Sequence, residues 1–139
     1  MSVETATPYL ILNGKADEAV SLYQRALGAN VEMLQRFGEM DGSCPAAARD
    51  RVMHASLRVG SALLMLSDGP EGSSLPPGGP VSVALDWKDG QAMRRAFETL
   101  ASSGSVIQPI FDSPWGALFG VVRDEFGISW MMNCQRPAS

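Results

Sequence analysis

Few residues in this chain of 139 could carry acid–base chemistry. His54 is the only histidine, so a site built from several histidines is excluded. If His54 acts as a base it needs a partner, and Asp86 and Tyr9 are the two that the sequence offers. A structural histidine with satisfied hydrogen bonds is the alternative. His54 and Asp86 are therefore the catalytic candidates, and the sequence leaves open whether the protein is an enzyme.

Other catalytic and cofactor motifs are absent from the sequence. It contains no G-x-S-x-G nucleophile elbow and no glycine-rich phosphate-binding loop. Asp68 and Asp124 come at strand ends, where carboxylates usually serve turns and caps. With only two cysteines, Cys44 and Cys134, we expect free thiols in a reducing compartment. We expect no bound cofactor.

The composition limits the partners. The formal net charge is −4, and lysine and arginine are scattered, which argues against a nucleic-acid partner. No apolar run approaches the roughly 20 residues that span a bilayer, and no signal-peptide pattern opens the chain. We therefore expect a cytoplasmic protein with no membrane partner.

The apolar pattern repeats, and each half reads as strand, helix and three strands. In the first half, an apolar run at 8–12 precedes a spacing of i, i+3, i+4 and i+7 that predicts a helix near 15–27. In the second half, an apolar run at 81–85 precedes a predicted helix near 90–102. The three strands that follow each helix are predicted at about 30–37, 52–59 and 62–67, and at about 105–111, 117–123 and 128–133.

Turn and cap signals agree with this pattern. Gly28 predicts a left-handed cap after the first helix, and Asp89 predicts an N-cap for the second. Gly127 closes the turn of a hairpin between the last two strands. Residues 38–50 are expected to form an irregular surface insertion.

The two halves have the size of modules within one domain. Residues 1–139 are predicted to form a single domain of two βαβββ modules, at about 8–67 and 81–133, that share one core. The Gly/Pro/Ser-rich stretch 68–80 is interpreted as a linker, with a flap over a pocket as the alternative.

Several short motifs are spread over residues 8–134: Pro8-Tyr9-Leu10, Asn13-Gly14-Lys15-Ala16, Leu27-Gly28, Met53-His54-Ala55, Leu64-Met65-Leu66-Ser67-Asp68, Trp115-Gly116, Phe126-Gly127 and Ser129-Trp130. Together they resemble the vicinal oxygen chelate superfamily, the glyoxalase and bleomycin-resistance group, and within it the PhnB-like branch. The resemblance implies an α+β, glyoxalase-like fold in which paired βαβββ modules curl a sheet around a cavity. It also implies a homodimer, since open sheets leave strand edges to be covered.

Metal-using members of that superfamily bind a divalent ion through His, Gln or Glu from four strands. The family pattern places these ligands near Pro8 or Tyr9, at Met65, near Ser82 and at Met131. A thioether is a poor ligand for a hard or borderline divalent ion. The resemblance, with these replacements, implies a protein that works without a metal.

Strand alternation suggests what takes the place of the metal. If Met65 and Met131 face inward, then Leu64, Leu66, Trp130 and Met132 pack toward the helices. The methionines then line a pocket, with core filling as the alternative. Trp115 is either a packing residue at a turn or a pocket wall. The ligand-binding candidates are Tyr9, His54, Met65, Ser82, Trp115 and Met131.

Two functions follow from the resemblance and these residues. The first is a metal-independent small-molecule binding protein that holds an apolar or aromatic compound in the sheet cavity. The alternative is a glyoxalase- or dioxygenase-type enzyme, acting as a lyase, isomerase or oxygenase. Such an enzyme would need a non-standard metal site or acid–base residues such as His54.

Overall fold

Two four-stranded mixed sheets, each accompanied by one long helix, account for most of the chain. The computed structural model describes residues 2–40, 42–72, 75–76 and 78–136. They fall into a first unit, Met1–Pro76, and a second unit, Pro77–Ser139. The sheets are curled and not closed. No helix in the described ranges has both the length and the apolar character needed to cross a membrane.

The first unit has the predicted order with two short helices added. Its elements are β1 (Tyr9–Ile11), α1 (Ala16–Leu27), β2 (Asn30–Arg36), α2 (Phe37–Met40), α3 (Ala46–Arg49), β3 (Val52–Val59) and β4 (Ala62–Ser67). The spatial order of the strands is β1-β4-β3-β2. The β1–β4 pair is parallel, and the other two pairs are antiparallel.

The second unit repeats this topology. Its elements are β5 (Ser82–Trp87), α4 (Gly90–Ala101), β6 (Ser105–Asp112), β7 (Ala117–Arg123) and β8 (Ser129–Gln135). The spatial order β5-β8-β7-β6 again places the first and last strands side by side and parallel. The α+β class and the strand–helix–strand–strand–strand order of both halves are therefore confirmed.

The predicted helix ends are confirmed. Gly28 has a φ of 66° and its N–H bonds to the carbonyl of Tyr23, as a left-handed C-terminal cap requires. The Asp89 carboxylate accepts a hydrogen bond of 2.9 Å from the N–H of Gln91 at the start of α4.

The backbone N–H group at the start of α1 finds its hydrogen-bond acceptor far away in the sequence. Lys15 occupies the N-cap position without a side-chain cap hydrogen bond. Asp68, only 2% exposed, instead accepts 2.8 Å hydrogen bonds from the N–H groups of Ala16 and Val52. A buried carboxylate is costly unless it is bonded in this way. Asp68 therefore ties the start of α1 to the start of β3, which confirms its predicted capping role.

The segment 38–50 differs from the prediction. It is not irregular throughout, because α2 and α3 form within it. A Cβ on Gly38 would lie 2.2 Å from Cγ of Arg49, so the two short helices pack closely. Ala48 is buried. Helices of four residues carry too little periodicity to be recognised from sequence.

The β7–β8 hairpin is organised by Asp124, which is 3% exposed. Its carboxylate accepts hydrogen bonds from the N–H groups of Phe126 and Ile128 and from the indole N–H of Trp130, at 2.9 to 3.0 Å. Gly127 has a φ of 88°, a conformation that glycine adopts without strain. The predicted turn is confirmed.

Gly104 allows the chain entering β6 to pass close to this hairpin. A Cβ at position 104 would lie 2.1 Å from the carbonyl oxygen of Arg123 and 2.9 Å from Cα of Asp124. Both atoms belong to the backbone and cannot rotate away. Position 104 is exposed to solvent, yet it has no room for a side chain.

We expect Gly104→Ala to lower the free energy of unfolding by about 1–3 kcal/mol, because the methyl group forces two backbone segments apart. Urea denaturation monitored by circular dichroism measures the change. Gly42→Ala is the matched control, since a Cβ there meets nothing within 4 Å. Equal stabilities of the two variants would contradict the close approach.

Candidate functional site

Strand alternation gives each sheet a buried face and a second face, which we call the open face. Leu64, Leu66, Trp130 and Met132 are at most 4% exposed. Met65 and Met131, one residue away on the same strands, are half-buried and lie on the open faces. The predicted division between the two faces is confirmed at these six positions.

The open face of the first sheet brings together Tyr9, His54 and Met65. Tyr9 pairs with Met65 in the parallel β1–β4 ladder, so their side chains are neighbours. The Tyr9 hydroxyl lies 2.9 Å from Nδ1 of His54, and the two rings are 5.6 Å apart. Nε2 of His54 lies 3.4 Å from the Ser56 hydroxyl. Of the two predicted partners of His54, the structure shows a hydrogen bond with Tyr9.

Asp86 lies in the second sheet and is bonded there. Its Oδ1 accepts a long hydrogen bond, 3.5 Å, from the side-chain amide of Asn133. Asp86 and Asn133 face each other in the β5–β8 ladder. The structure therefore places the two catalytic candidates in different sheets, each with its own partner.

A charged pair crosses the first sheet. Arg58 on β3 donates two hydrogen bonds, of 3.0 and 3.1 Å, to the carboxylate of Glu32 on β2. The hydrogen bond from the Arg58 guanidinium lowers the pKa of Glu32 below its usual value. The guanidinium of Arg58 is therefore already paired with a carboxylate of its own chain.

An aromatic cluster occupies one end of the open face of the second sheet. Trp115 lies with its ring 5.3 Å from Phe119 and 6.5 Å from Phe111, and all three rings meet edge to face. The Trp115 indole N–H lies 3.4 Å from the Asn133 amide oxygen. Trp115 is 55% exposed, so it lies largely at the surface.

The middle of that face is apolar. Met131 pairs with Ala84 on β5 and with Val121 on β7. Two residues further along each strand, the side chain points to the same face again, and these side chains form the next row across the sheet. The aromatic cluster therefore continues directly into an apolar row.

The other end of the face is polar. Ser129 pairs with Ser82 on one side and with Arg123 on the other, and the Ser82 hydroxyl donates to that of Ser129 at 2.9 Å. Ser105 pairs with Arg123 from β6. Ser82, the predicted third ligand position, is thus part of a row of hydroxyls and one cation.

The residues at the four family ligand positions do not suit a divalent metal. Tyr9, Met65, Ser82 and Met131 offer two thioethers and two neutral hydroxyls, whereas such ions prefer carboxylates and imidazoles. Among the described residues, no group of three or more His, Cys, Asp or Glu side chains could hold a metal ion.

A separate pocket of about 460 Å³ lies in the second unit away from these rows. It lies between α4 and β6 and is lined by Arg94, Phe97, Glu98, Val106, Pro109 and Ile110. Val106 pairs with the buried Val122, so it belongs to the opposite face of the sheet. None of the catalytic or ligand-binding candidates from the sequence lines this pocket.

Comparison with known proteins identifies the family. The sequence profile of the glyoxalase/bleomycin resistance protein/dioxygenase superfamily matches residues 6–132. The chain belongs to this superfamily. The predicted resemblance to the vicinal oxygen chelate superfamily, the glyoxalase and bleomycin-resistance group, is thereby confirmed.

Individual proteins are similar to this chain over nearly its whole length. Protein YjdN of Escherichia coli is 32% identical over 138 residues, which cover 91% of this chain and 92% of YjdN. The crystal structure of protein PA1353 from Pseudomonas aeruginosa is 38% identical, covers 97% of this chain and 100% of that one, and has a TM-score of 0.84. The PhnB protein of Bacillus cereus is 21% identical, covers 94% of this chain and 99% of that one, and has a TM-score of 0.78. At that identity the likeness to the PhnB protein shows the fold alone.

Sequence reasoning missed several residues of the second open face. Arg123, Phe111 and Phe119 join Ser82, Trp115 and Met131 there, although none of these three was a candidate. The alternation of β7 from Phe119 to Arg123 was a signal that could have placed two of them. Phe111 required the register of β6, which contains two irregularities.

We expect added Mn²⁺, Ni²⁺ or Zn²⁺ to leave the melting temperature nearly unchanged. The four positions offer no carboxylate or imidazole, so we expect weak metal binding with a dissociation constant of about 1 mM. At an equal ion concentration, such binding stabilises the protein by only about 0.4 kcal/mol. That corresponds to a shift of about 2 °C or less. Differential scanning fluorimetry measures the shift, and elemental analysis of the purified protein is the complement. A stoichiometric divalent ion would contradict the expectation.

Proposed function

We propose that this protein is a metal-independent small-molecule binding protein of the glyoxalase/bleomycin-resistance type. Its ligand is an apolar or aromatic compound held on the open face of a sheet. The observation that carries the proposal is the exposed aromatic cluster of Phe111, Trp115 and Phe119 beside Met131. In the family pattern, the position of Met131 is that of a residue that coordinates the metal ion in metal-using relatives.

The exposure of this cluster supports a binding role over a packing role. Phe111 is 38% and Trp115 55% exposed, so the chain leaves large aromatic surfaces open to water in the second unit. Edge-to-face contacts hold the rings in a defined arrangement. A ligand with an aromatic ring would cover this surface and extend the cluster.

The expected affinity is modest. Covering on the order of 200 Å² of apolar surface yields at most about 5 kcal/mol, before the ordering costs of binding are subtracted. Dissociation constants should therefore lie in the micromolar to millimolar range.

The Tyr9–His54 hydrogen bond favours one second candidate, an enzyme of the same fold that uses acid–base chemistry. A hydroxyl in contact with an imidazole can pass a proton to a bound compound. Asp86, the other catalytic candidate, is instead bonded to Asn133 in the other sheet. The two candidate functions, binding and catalysis, differ in whether the bound compound is recovered unchanged.

We expect Trp115→Ala to weaken the binding of aromatic compounds by about tenfold, because an aromatic pair contributes about 0.5–1.5 kcal/mol beyond its area. Isothermal titration with compounds selected by a thermal-shift screen measures the loss. Mass spectrometry of the released compound separates binding from turnover.

Val106→Ala is the matched control, since Val106 is 48% exposed but lies on the opposite face of the same sheet. It should leave the affinity unchanged. If Val106→Ala weakens binding and Trp115→Ala does not, the ligand occupies the pocket beside α4 and the proposal is wrong.

We also propose a homodimer in the cytoplasm. The outer strands β2 and β6 each have a single neighbour in their own sheet, and both carry exposed apolar residues, among them Met33 and Ile107. Such edges favour pairing with another chain. Light scattering at micromolar concentration should give twice the monomer mass of 14.8 kDa. A mass equal to the monomer would reject the dimer.

A further inference from the structure

We propose that Arg123 binds the carboxylate group of the ligand, so that the natural ligand is an aromatic or apolar carboxylic acid. This inference rests on the proposed function, because it assigns a chemical class to the compound that the second open face holds. The residues involved are Arg123, Ser82, Ser129 and Ser105, which form one row across that face.

Arg123 differs from other arginines on or next to the sheets. Arg36 is bonded to Asp17, Arg58 to Glu32, and Arg136 to Asp112. Nε of Arg123 is buried and has no hydrogen-bond partner among the described residues. The neighbouring carboxylate in the sequence, Asp124, is engaged with Trp130 and the backbone of the turn. Arg123 therefore has no acid of its own chain bonded to it in the described part.

The guanidinium of Arg123 is partly removed from water. Its Nε is buried, and Gly78 lies beside it, so that a Cβ on Gly78 would make an ordinary van der Waals contact with the guanidinium, 3.6 Å from Cζ. The N–H of Gly78 bonds to the carbonyl of Gly127 at 3.2 Å, which fixes this segment against the hairpin. A charge with reduced hydration interacts more strongly with an added counter-ion, because water screens it less. The residue as a whole is only half-buried, so part of it stays open to solvent.

The hydroxyls of the same row complete a site for an oxyanion. Ser129 and Ser105 pair with Arg123 from opposite sides, and Ser82 is hydrogen-bonded to Ser129. Serine hydroxyls can rotate to donate to an anion. The planar guanidinium binds a carboxylate with two parallel hydrogen bonds, which favours this head group over a neutral amide or alcohol.

The spacing along the strands indicates the rest of the ligand. Phe119 lies four residues before Arg123 on β7, which is about 13 Å along a strand. Val121, between them, belongs to the apolar row with Met131. A molecule with a carboxylate at Arg123 and a ring against Trp115 would lie over that apolar row.

The test compares 4-phenylbutyrate with its neutral analogue 4-phenylbutanamide by isothermal titration. We expect the wild-type protein to bind the acid about 10- to 100-fold more tightly, as a charge-assisted hydrogen bond implies. Arg123→Gln should abolish this preference while leaving the affinity for the amide unchanged. Arg123→Lys should restore only part of it, because lysine keeps the charge and loses the planar fork. Arg95→Gln, which makes the same charge change on the exposed surface of α4, should behave as wild type.

A second measurement does not depend on the aromatic ring. Potassium acetate should raise the melting temperature of the wild type above that in potassium chloride of equal ionic strength, and this difference should be larger than in Arg123→Gln, which keeps only the general effect of acetate as an excluded anion. The melting temperature of the variant in chloride shows whether it folds.

The outcomes separate the inference from the proposed function. If the wild type binds acid and amide equally, or Arg123→Gln weakens both equally, the carboxylate assignment is wrong while the aromatic binding face stands. If neither probe binds and Trp115→Ala has no effect on any aromatic compound, the proposed function fails and the inference fails with it.

Discussion

The open face of the second sheet depends on the hydrogen bonds that the buried carboxylate of Asp124 accepts. This carboxylate accepts them from two backbone N–H groups of the turn and from the indole of Trp130, so it holds the turn and the core together. The β7–β8 register follows from this turn. A slip of one residue would move every side chain of a strand to the opposite face. The aromatic, apolar and polar rows therefore exist only while this carboxylate keeps its three donors.

Much of the fold could be predicted from local pattern. Both long helices, all eight strands listed above and the caps at Gly28 and Asp89 follow from spacings within a dozen residues. Asp68 shows where such reasoning stops. It satisfies the first N–H of α1 from 52 residues away, and nothing near Lys15 in the sequence indicates that partner. Long-range hydrogen bonds of this kind depend on the completed topology.

The candidate site was predictable in part, for a physical reason. Alternation along a strand places Met65 and Met131 on the face away from the core, and the structure agrees. Arg123 was not recognised because an arginine beside a turn is usually a solvated surface residue. What distinguishes it is a buried Nε without a hydrogen-bond partner among the described residues, beside the approaching backbone of Gly78. That approach joins residues 45 positions apart and leaves no pattern in the sequence around either of them.

Each sheet places its first and last strands side by side, and this arrangement sets the order in which the molecule can form. β1 has no partner until Met65–Ser67 has been synthesised, and β5 has none until Ser129 leaves the ribosome. Contacts of such sequence separation form slowly, because a long loop must close before they stabilise anything. The Tyr9–His54 pair spans 45 residues and the Ser82–Ser129 pair 47. Both open faces are therefore late products of folding, assembled only when the final strand of their unit is in place.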